Sequence, residues 1–355
     1  MDRIATLLDG ALAAGLGSAA AVSVGDRGAE VFRHAVGHTH RVPHAGAAID
    51  AHTPFDVASL TKPIATVACA MALVGDGVLD LDAPVARWLP ATTTRATVRQ
   101  LLGHAAGCAA HVELYRRVRA ERPADPHARL VELAAAVACD APGVRAVYSD
   151  LGFIQLGAVI ERVAERPLDQ LFADRIAAPL GLRATFPGTR ALAGAVATEL
   201  DDRGLVCGRV HDENAYFGGG VFGHAGLFAS VDDIARFAAA IAAVHAGASR
   251  AGLRPDVVAR FFADAPIADA PWRLGWDTPS STPGISQAGD RWPRAHAVGH
   301  TGFTGTSLWL DLARGRWVAL LTNRVHPTRY AATADAIKAL RRAVNDAAIA
   351  ATDRV

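Results

Sequence analysis

Residues 55–64 read FDVASLTKPI and join a polar, turn-prone segment to the apolar run Pro63–Val74. This change predicts a loop that enters a helix. Ser59 and Lys62 are three positions apart and therefore share one face of that helix. Near the helix N-terminus, Ser59 lies beside backbone N–H groups that have no intrahelical partner and can stabilise an oxyanion. A half-buried Lys62 can lose its proton and activate the serine hydroxyl.

The spacing of Ser59 and Lys62 allows a second interpretation when it stands alone. Chains of this length contain Ser-x-x-Lys tetrapeptides by chance, and a helix start with a solvated lysine explains this one without any chemistry. The rest of the chain has to decide between the two.

The composition limits the function classes. The chain has 355 residues, 51% of them hydrophobic, which suffices for one large domain or two. The net charge is +1, with no basic block or basic-aromatic stripe, so neither nucleic acid nor a membrane is an expected partner. The four cysteines show no C-x-x-C spacing, so we expect buried free thiols at Cys69, Cys108, Cys139 and Cys207.

The N-terminal region resembles a signal sequence only in part. Residues 11–24 are apolar, but Asp2 and Asp9 precede them and Gly15 and Gly17 interrupt them. We therefore expect a helix followed by a strand, and a cytoplasmic protein. By the same inspection, no apolar run reaches the roughly 18 residues that a membrane-spanning helix needs.

Strand signals cluster at both ends of the chain, and helical patterns fill the middle. Residues 2–14 and 328–349 are expected to form helices, and strands are expected at residues 19–24, 29–36, 272–276, 297–301, 306–312 and 317–322. The pattern predicts an α+β fold, with an antiparallel β-sheet flanked by helices and an inserted, mostly α-helical subdomain. The sheet domain would comprise residues 1–75 and 226–355 and the helical subdomain residues 76–225, with the active site between them.

Two further motifs could complete a serine hydrolase site. Such an enzyme needs a group that carries a proton to the leaving group and a strand edge that holds the acyl substrate. Tyr148-Ser149-Asp150 can supply the first, and His300-Thr301-Gly302 can supply the second. Taken singly, Tyr148 is equally explained as a core residue at a helix start and His300 as a satisfied strand histidine.

The order of the three motifs resembles the serine β-lactamase/penicillin-binding protein family, and most closely its class C β-lactamase-like branch, which includes D-alanyl-peptidases and esterases. The resemblance covers nearly the whole chain. Further segments that match the family are LLGHAAG at 101–107, PLGL at 179–182, HDEN at 211–214, GHAG at 223–226 and GLFAS at 226–230.

The resemblance implies a β-lactamase/transpeptidase-like fold and a role for each matching residue, with no cofactor and no metal. Ser59 would be the acylated nucleophile, and Lys62 and Tyr148 would share the general-base and general-acid work. The N–H groups of Ser59 and Phe303 would form the oxyanion hole. The remaining substrate-binding positions would be Asp150, His300, Thr301 and Gly302.

Two positions depart from the family pattern. Asp150 replaces the common asparagine, and a carboxylate there favours the ammonium form of Lys62 and moves the role of base toward Tyr148. His300 replaces the common lysine. With an ordinary pKa of about 6.5, His300 would be neutral at pH 8 and cationic below pH 6. We therefore expect neutral esters to be better substrates than penicillins, and carboxylate substrates to bind better as the pH falls toward 6.

These observations predict a β-lactamase-related serine hydrolase that acts through an acyl-enzyme on Ser59. Its substrates would be small esters, peptides or β-lactams, as for an esterase or a D-alanyl-carboxypeptidase. The alternative is a penicillin-binding or sensing module with little turnover. A metal-dependent hydrolase would use some of the fourteen histidines, but the chain has no His-Glu-x-x-His or His-x-His-x-Asp motif. The oligomeric state stays open.

Overall fold

The computed structural model describes residues 1–353. Strands lie at Ala19–Asp26 (β1), Ala29–Gly37 (β2), Phe55–Asp56 (β3), Ala197–Asp201 (β4), Gly204–Cys207 (β5), Phe228–Ala229 (β6), Ala297–Thr301 (β7), Ser307–Asp311 (β8) and Arg316–Thr322 (β9). Helices lie at Asp2–Ala13 (α1), Ala68–Gly75 (α2), Val98–Leu102 (α3), Tyr115–Glu121 (α4), Pro126–Ala136 (α5), Asp150–Ala164 (α6), Leu168–Phe172 (α7), Ala178–Leu180 (α8), Glu213–Phe217 (α9), Val231–His245 (α10), Pro255–Ala263 (α11) and Ala334–Thr352 (α12).

The central sheet has five antiparallel strands in the order β2-β1-β9-β8-β7. Strand β1 pairs with β9, with Ala20 opposite Thr322, so the two ends of the chain share one sheet. Strands β2 and β7 are the two edge strands of this sheet. The predicted α+β fold with an antiparallel sheet flanked by helices is confirmed.

Side chains alternate between two cores because successive residues of a strand point to opposite faces. Val22 of β1 packs in one core with residues of α1 and α12. Ala21 packs in the other core with residues of α10 and of the helix that contains Lys62. The sheet is therefore covered on both faces, which explains why every residue of β1 is buried.

The predicted serine lies at the start of a long buried helix, residues 58–75. It begins with a 3-10 turn at Ala58–Leu60, continues through π-type turns at Lys62–Val67 and ends as α2. The expectation that no segment reaches spanning length is wrong, because these 18 residues have a mean hydropathy of 1.4. The fold buries 83% of them, as expected for the core helix of a folded domain.

The segment between β3 and β6 contains most of the shorter helices and one hairpin, β4–β5. Helix α6 is its central element, and it packs against α3, α5 and α7 as well as against the helix of Lys62. The proposed domain division at residues 75 and 226 stays a prediction.

Three local expectations are wrong. Residues 272–276 do not form a strand, because Gly275 adopts a positive φ of 84° and its N–H bonds Leu102 O, which breaks the extended backbone. The last helix begins at Ala334 instead of residue 328, because the Thr333 side chain caps it. The cysteines are only partly as expected, since Cys69 and Cys108 are buried but Cys139 and Cys207 are half-buried.

Candidate active site

A strained backbone conformation precedes Ser59. Ala58 has a φ of 48°, which is uncommon for a residue with a side chain. Asp56 stabilises this conformation, since its carboxylate accepts a hydrogen bond from Ala58 N–H at 2.8 Å and another from His211 N–H at 2.7 Å. Burial raises the pKa of Asp56, and these two N–H groups oppose that effect. Asp56 therefore positions the turn that presents Ser59 to the cleft.

The turn after β7 lies directly against the loop that carries Ser59. Thr306 Oγ1 donates to Val57 O at 2.9 Å, and Thr304 Oγ1 donates to Asp56 O at 2.8 Å. A Cβ atom on Gly302 would overlap the Thr306 hydroxyl and lie 2.5 Å from Val57 O. Only glycine fits at position 302, and its absence of a side chain brings the end of β7 next to the serine.

Lys62 is fully buried and joins three elements through its ammonium group. Its Nζ donates to Ser59 Oγ at 3.1 Å, to Asp150 Oδ1 at 2.7 Å and to the backbone carbonyl of His224 at 3.0 Å. The side chain is 0% exposed. All three protons of the ammonium are therefore used, as expected for a buried charge that persists.

The Lys62–Asp150 pair is ionised in the resting protein. Burial disfavours the ammonium, but the charge of Asp150 and then Tyr148 outweigh it, and the pKa of Lys62 is raised above its ordinary value. Burial likewise disfavours the carboxylate, but the charge of Lys62 and the hydrogen bond from His111 hold the pKa of Asp150 well below its usual range. The expectation that Asp150 favours the charged lysine agrees with this geometry.

Tyr148 precedes α6 and faces the Ser59–Lys62 pair. The helix begins at Asp150 because the Ser149 hydroxyl accepts from Gly152 N–H at 2.9 Å. Lys62 Nζ lies 4.9 Å from the centre of the Tyr148 ring. Burial raises the pKa of the Tyr148 phenol, while the charge of Lys62 opposes that rise.

The loop after α3 supports this arrangement from behind. His104 Nδ1 accepts from Ser149 N–H at 3.1 Å, and its ring lies 4.7 Å from the Tyr148 ring. The carbonyl of Ala109 accepts from the Ser149 hydroxyl at 2.6 Å. The LLGHAAG segment therefore holds the segment of Tyr148 in place, and this contact gives the LLGHAAG motif a structural role in the site.

His300 differs from the expectation drawn from its sequence. The ring is buried, with 2% of the residue exposed, and its Nδ1 lies 2.9 Å from Thr301 O. Burial and the neighbouring Lys62 charge lower the pKa of His300 to about 3. The expected titration near pH 6 is therefore wrong, because it assumed a solvated imidazole. His300 stays neutral throughout the physiological range.

These side chains meet at a cavity of about 590 Å³. The predicted residues that line it are Ser59, Tyr148, Asp150, His300, Thr301, Gly302 and Phe303, and Lys62 lies directly behind Ser59. The Phe303 side chain is 50% exposed and stacks on Arg324 at 4.6 Å. The structure brings all the predicted site residues together, and their individual chemical roles stay predictions.

Several cavity residues were not assigned a role from the sequence. His111 Nδ1 lies 3.4 Å from Asp150 Oδ2, and this hydrogen bond raises the pKa of His111. His224 Nε2 lies 2.9 Å from Asp212 Oδ1, which orients the loop whose carbonyl accepts from Lys62. His224 belongs to the GHAG segment and Asp212 to the HDEN segment, which the sequence had marked as family motifs. Their positions along the chain do not show that the two segments are in contact.

The described residues, 1–353, contain no group of three histidine, cysteine or carboxylate side chains that could hold a metal ion.

The fold, with a Ser-x-x-Lys pair at the start of its buried helix, defines a serine hydrolase of the S-x-x-K acyl-transfer type. The chain matches the family described as Beta-lactamase over residues 5–342, and it belongs to that family.

Named relatives and solved structures agree with this assignment. The chain is 28% identical to an N-acetylmuramyl-L-alanine amidase of Bacillus subtilis (strain 168), over 92% of this chain and 81% of that protein. It is 28% identical to a putative D-alanyl-D-alanine carboxypeptidase of Escherichia coli (strain K12), over 77% of this chain and 70% of that protein. Its fold matches EstCE1, a hydrolase with promiscuous acyltransferase activity, with a TM-score of 0.72, 23% identity and coverage of 97% and 98% of the two chains.

Proposed function

We propose that this β-lactamase-family hydrolase cleaves ester or amide bonds of small molecules or short peptides through an acyl-enzyme on Ser59. One observation supports this most directly. A fully buried lysine lies 3.1 Å from a serine hydroxyl that opens into a cavity of about 590 Å³. An apolar side chain would stabilise the core as well as a buried ammonium does, or better. The lysine beside Ser59 is therefore better explained by a chemical role than by stability.

The first step is attack of Ser59 Oγ on the substrate carbonyl carbon. The serine proton passes to the Lys62–Tyr148 pair, and the carbonyl oxygen becomes an oxyanion between the N–H groups of Ser59 and Phe303. When the intermediate collapses, the bond to the leaving group breaks and the pair returns the proton to that group. Water then attacks the acyl-enzyme by the same sequence of transfers and releases the acid.

The Lys62–Tyr148 pair has to lose one proton before it can accept that of Ser59. In the resting state Lys62 is an ammonium and Tyr148 a phenol, because the pKa of each is raised. Asp150 opposes the loss of a proton from either group, since its negative charge raises the pKa of Lys62 and the pKa of Tyr148. The two groups titrate as a coupled unit, so the active form is assigned to the pair and not to one residue.

The substrate class follows from the cavity and from the relatives. The amidase and carboxypeptidase names of the relatives point to amide substrates. His300 is neutral where the family pattern has a lysine, so it supplies no cation for the carboxylate of a penicillin. We therefore expect esters without a carboxylate to be turned over better than penicillins. The absence of a nucleic-acid or membrane partner stays a prediction from the composition.

Covalent labelling combined with turnover tests this proposal. The protein is treated with a fluorescent penicillin or an alkyl phosphonate, and peptide mapping locates the adduct, which we expect on the Ser59 peptide. Ser59→Ala should abolish labelling and lose roughly 10³-fold or more in kcat for a nitrophenyl ester. Ser249→Ala, an exposed position, is the control. An adduct on another serine would refute the mechanism, and a burst without turnover would favour a sensing module.

A cytoplasmic location stays a prediction from the N-terminal charges, and cell fractionation with an antibody tests it.

A further inference from the structure

Asp277 lies at the junction of two cavities. It lines the cavity of Ser59 and also a neighbouring cavity of about 470 Å³, and Gln287 lines both as well. The two spaces therefore adjoin at these residues. The second cavity is lined by both apolar and polar side chains, and the polar ones include Asp269, Ser280 and Ser286; among residues 1–353, no lysine or arginine lines it.

The backbone holds Asp277 rigidly beside the catalytic strand. Asp277 N–H donates to Gly299 O at 2.8 Å, and Gly299 N–H donates to Asp277 O at 2.9 Å. Gly299 directly precedes His300, and both belong to β7, which forms one edge of the sheet. The Asp277 carboxyl is therefore placed at the end of the strand edge along which a bound acyl chain would lie.

Among residues 1–353, no charged side chain pairs with the Asp277 carboxyl. Thr278 N–H donates to its Oδ1 at 2.9 Å. Burial raises the pKa of Asp277 to about 7, and that one backbone hydrogen bond is all that opposes the rise. A carboxyl group in a cavity wall without a counter-charge is a strong potential partner for a cation that enters with the substrate.

Two basic side chains of the Ser59 cavity are engaged with other groups. On α12, Arg341 donates to Gly302 O at 2.7 Å and to Thr306 O at 2.8 Å, and Lys338 pairs with Asp335 at 3.3 Å. Neither contributes to the pKa of Asp277.

An aromatic side chain of the same cavity also suits a cation. Trp272 lines the cavity, and its ring lies 5.4 Å from that of Tyr148 and 5.8 Å from that of His300. His300 is neutral and does not repel a cation, and the Lys62 ammonium behind this wall is paired with Asp150. Aromatic faces attract ammonium groups through the negative potential of the ring.

We propose that Asp277 and Trp272 form a subsite for an ammonium group, so that the preferred substrates carry a positive charge on the acyl chain. This inference rests on the proposed acyl-enzyme function and specifies its substrate class. The ammonium lies over the Trp272 ring and pairs with the Asp277 carboxylate, while the reacting carbonyl lies at Ser59. The acceptor groups of the second cavity accommodate the polar extension beyond the charge.

Matched nitrophenyl esters test the subsite. One series has acyl chains that end in a trimethylammonium group, and the other has uncharged chains of the same lengths that end in a tert-butyl group. The trimethylammonium charge does not titrate, so a pH dependence of the preference reports on the protein. We expect kcat/KM to favour the charged ester about 10-fold or more at pH 8, the scale of one charge-assisted interaction. The preference should decline as the pH falls below about 7, because Asp277 is then protonated.

Two variants complete the experiment. Asp277→Asn should reduce the preference to near one and remove its pH dependence, while turnover of the tert-butyl ester changes little. Asp256→Asn, which removes a 65% exposed carboxylate paired with Arg254, should retain the wild-type preference. The subsite is overturned if the wild type has similar kcat/KM values for the charged and the uncharged ester. It is also overturned if Asp277→Asn still prefers the charged ester. If both esters still acylate Ser59 in that case, the proposed function stands; if neither does, both inferences fail.

Discussion

Replacing Asp150 by asparagine tests how the site controls the protonation of its base. The carboxylate lies 2.7 Å from Lys62 Nζ and raises the pKa of both Lys62 and Tyr148. Asparagine keeps the shape and a hydrogen-bond acceptor but removes the charge. The pair should then lose its proton more easily, whichever of the two residues releases it.

The magnitude follows from the strength of the interaction. A hydrogen bond to a charged group contributes roughly 1.5–3 kcal/mol, and about 1.4 kcal/mol corresponds to one pKa unit. We therefore expect the acid limb of the kcat/KM profile to move down by about 1–2 pH units. At a pH below the limb of both proteins, Asp150→Asn should be about 10- to 100-fold more active on a neutral ester.

The assay is nitrophenyl-ester turnover from pH 5 to 11, corrected for spontaneous hydrolysis. Asp82→Asn removes a carboxylate that also lies 2.7 Å from its partner, Arg99, but is 63% exposed, and it should leave the profile unchanged. An acid limb that stays in place or moves to higher pH in Asp150→Asn would refute the reasoning. A loss of activity at every pH in a variant that remains folded would also refute it.

Stability gives a second readout of the same change. The pKa of Lys62 is higher in the folded protein than in the unfolded chain, where it is about 10.5. The charged lysine therefore contributes fully to stability at a pH below about 10.5, and this contribution is lost as the pH rises through the pKa of the folded protein. Without Asp150, the buried ammonium lacks a counter-charge, which costs about 3–5 kcal/mol. We expect this loss of unfolding free energy at pH 7, and a smaller loss at a pH where Lys62 of the variant is neutral.

Three further predictions concern other parts of the site. Lys62→Ala and Tyr148→Phe should each lower kcat severely, and the double variant should be little worse than the worse single one, since the residues act as a unit; losses that multiply would contradict this. For an ester that carries a carboxylate, the pH dependence of KM between pH 8 and pH 5 should be the same in the wild type and in His300→Gln, because the pKa of His300 is about 3, and a fall in KM toward pH 6 that disappears in His300→Gln would show a solvated imidazole. Gly302→Ala should lower activity and melting temperature because a Cβ atom there meets the Thr306 hydroxyl and Val57 O, whereas Gly10→Ala has open space and should preserve both; equal effects of the two would contradict the close approach.

The sequence alone located Ser59, the proposed nucleophile, and its neighbour Lys62. Ser59 and Lys62 are three residues apart at the start of an apolar run, and local spacing decides which side chains share a helix face. Strands β1, β2, β8 and β9 were also predictable, because alternation of apolar residues is a local property. The family resemblance added the remaining positions, and the match over residues 5–342 confirms that family.

Other features depended on contacts between distant segments. Lys62 and Asp150 are 88 positions apart, and their 2.7 Å contact depends on α6 packing against the helix of Lys62. The predicted strand at residues 272–276 failed because Gly275 bonds the carbonyl of Leu102, a partner that no local pattern reveals.

The sequence by itself therefore determined which residue types carry the chemistry, and the tertiary structure decided in which protonation state they do so. His300 shows the difference, since the sequence assigns an ordinary imidazole and burial beside Lys62 lowers its pKa to about 3. Asp277 shows the opposite shift, because burial without a counter-charge raises its pKa to about 7. The physical reason is that the free energy of a charge depends on its solvation and on nearby charges, and both are set by how distant segments pack.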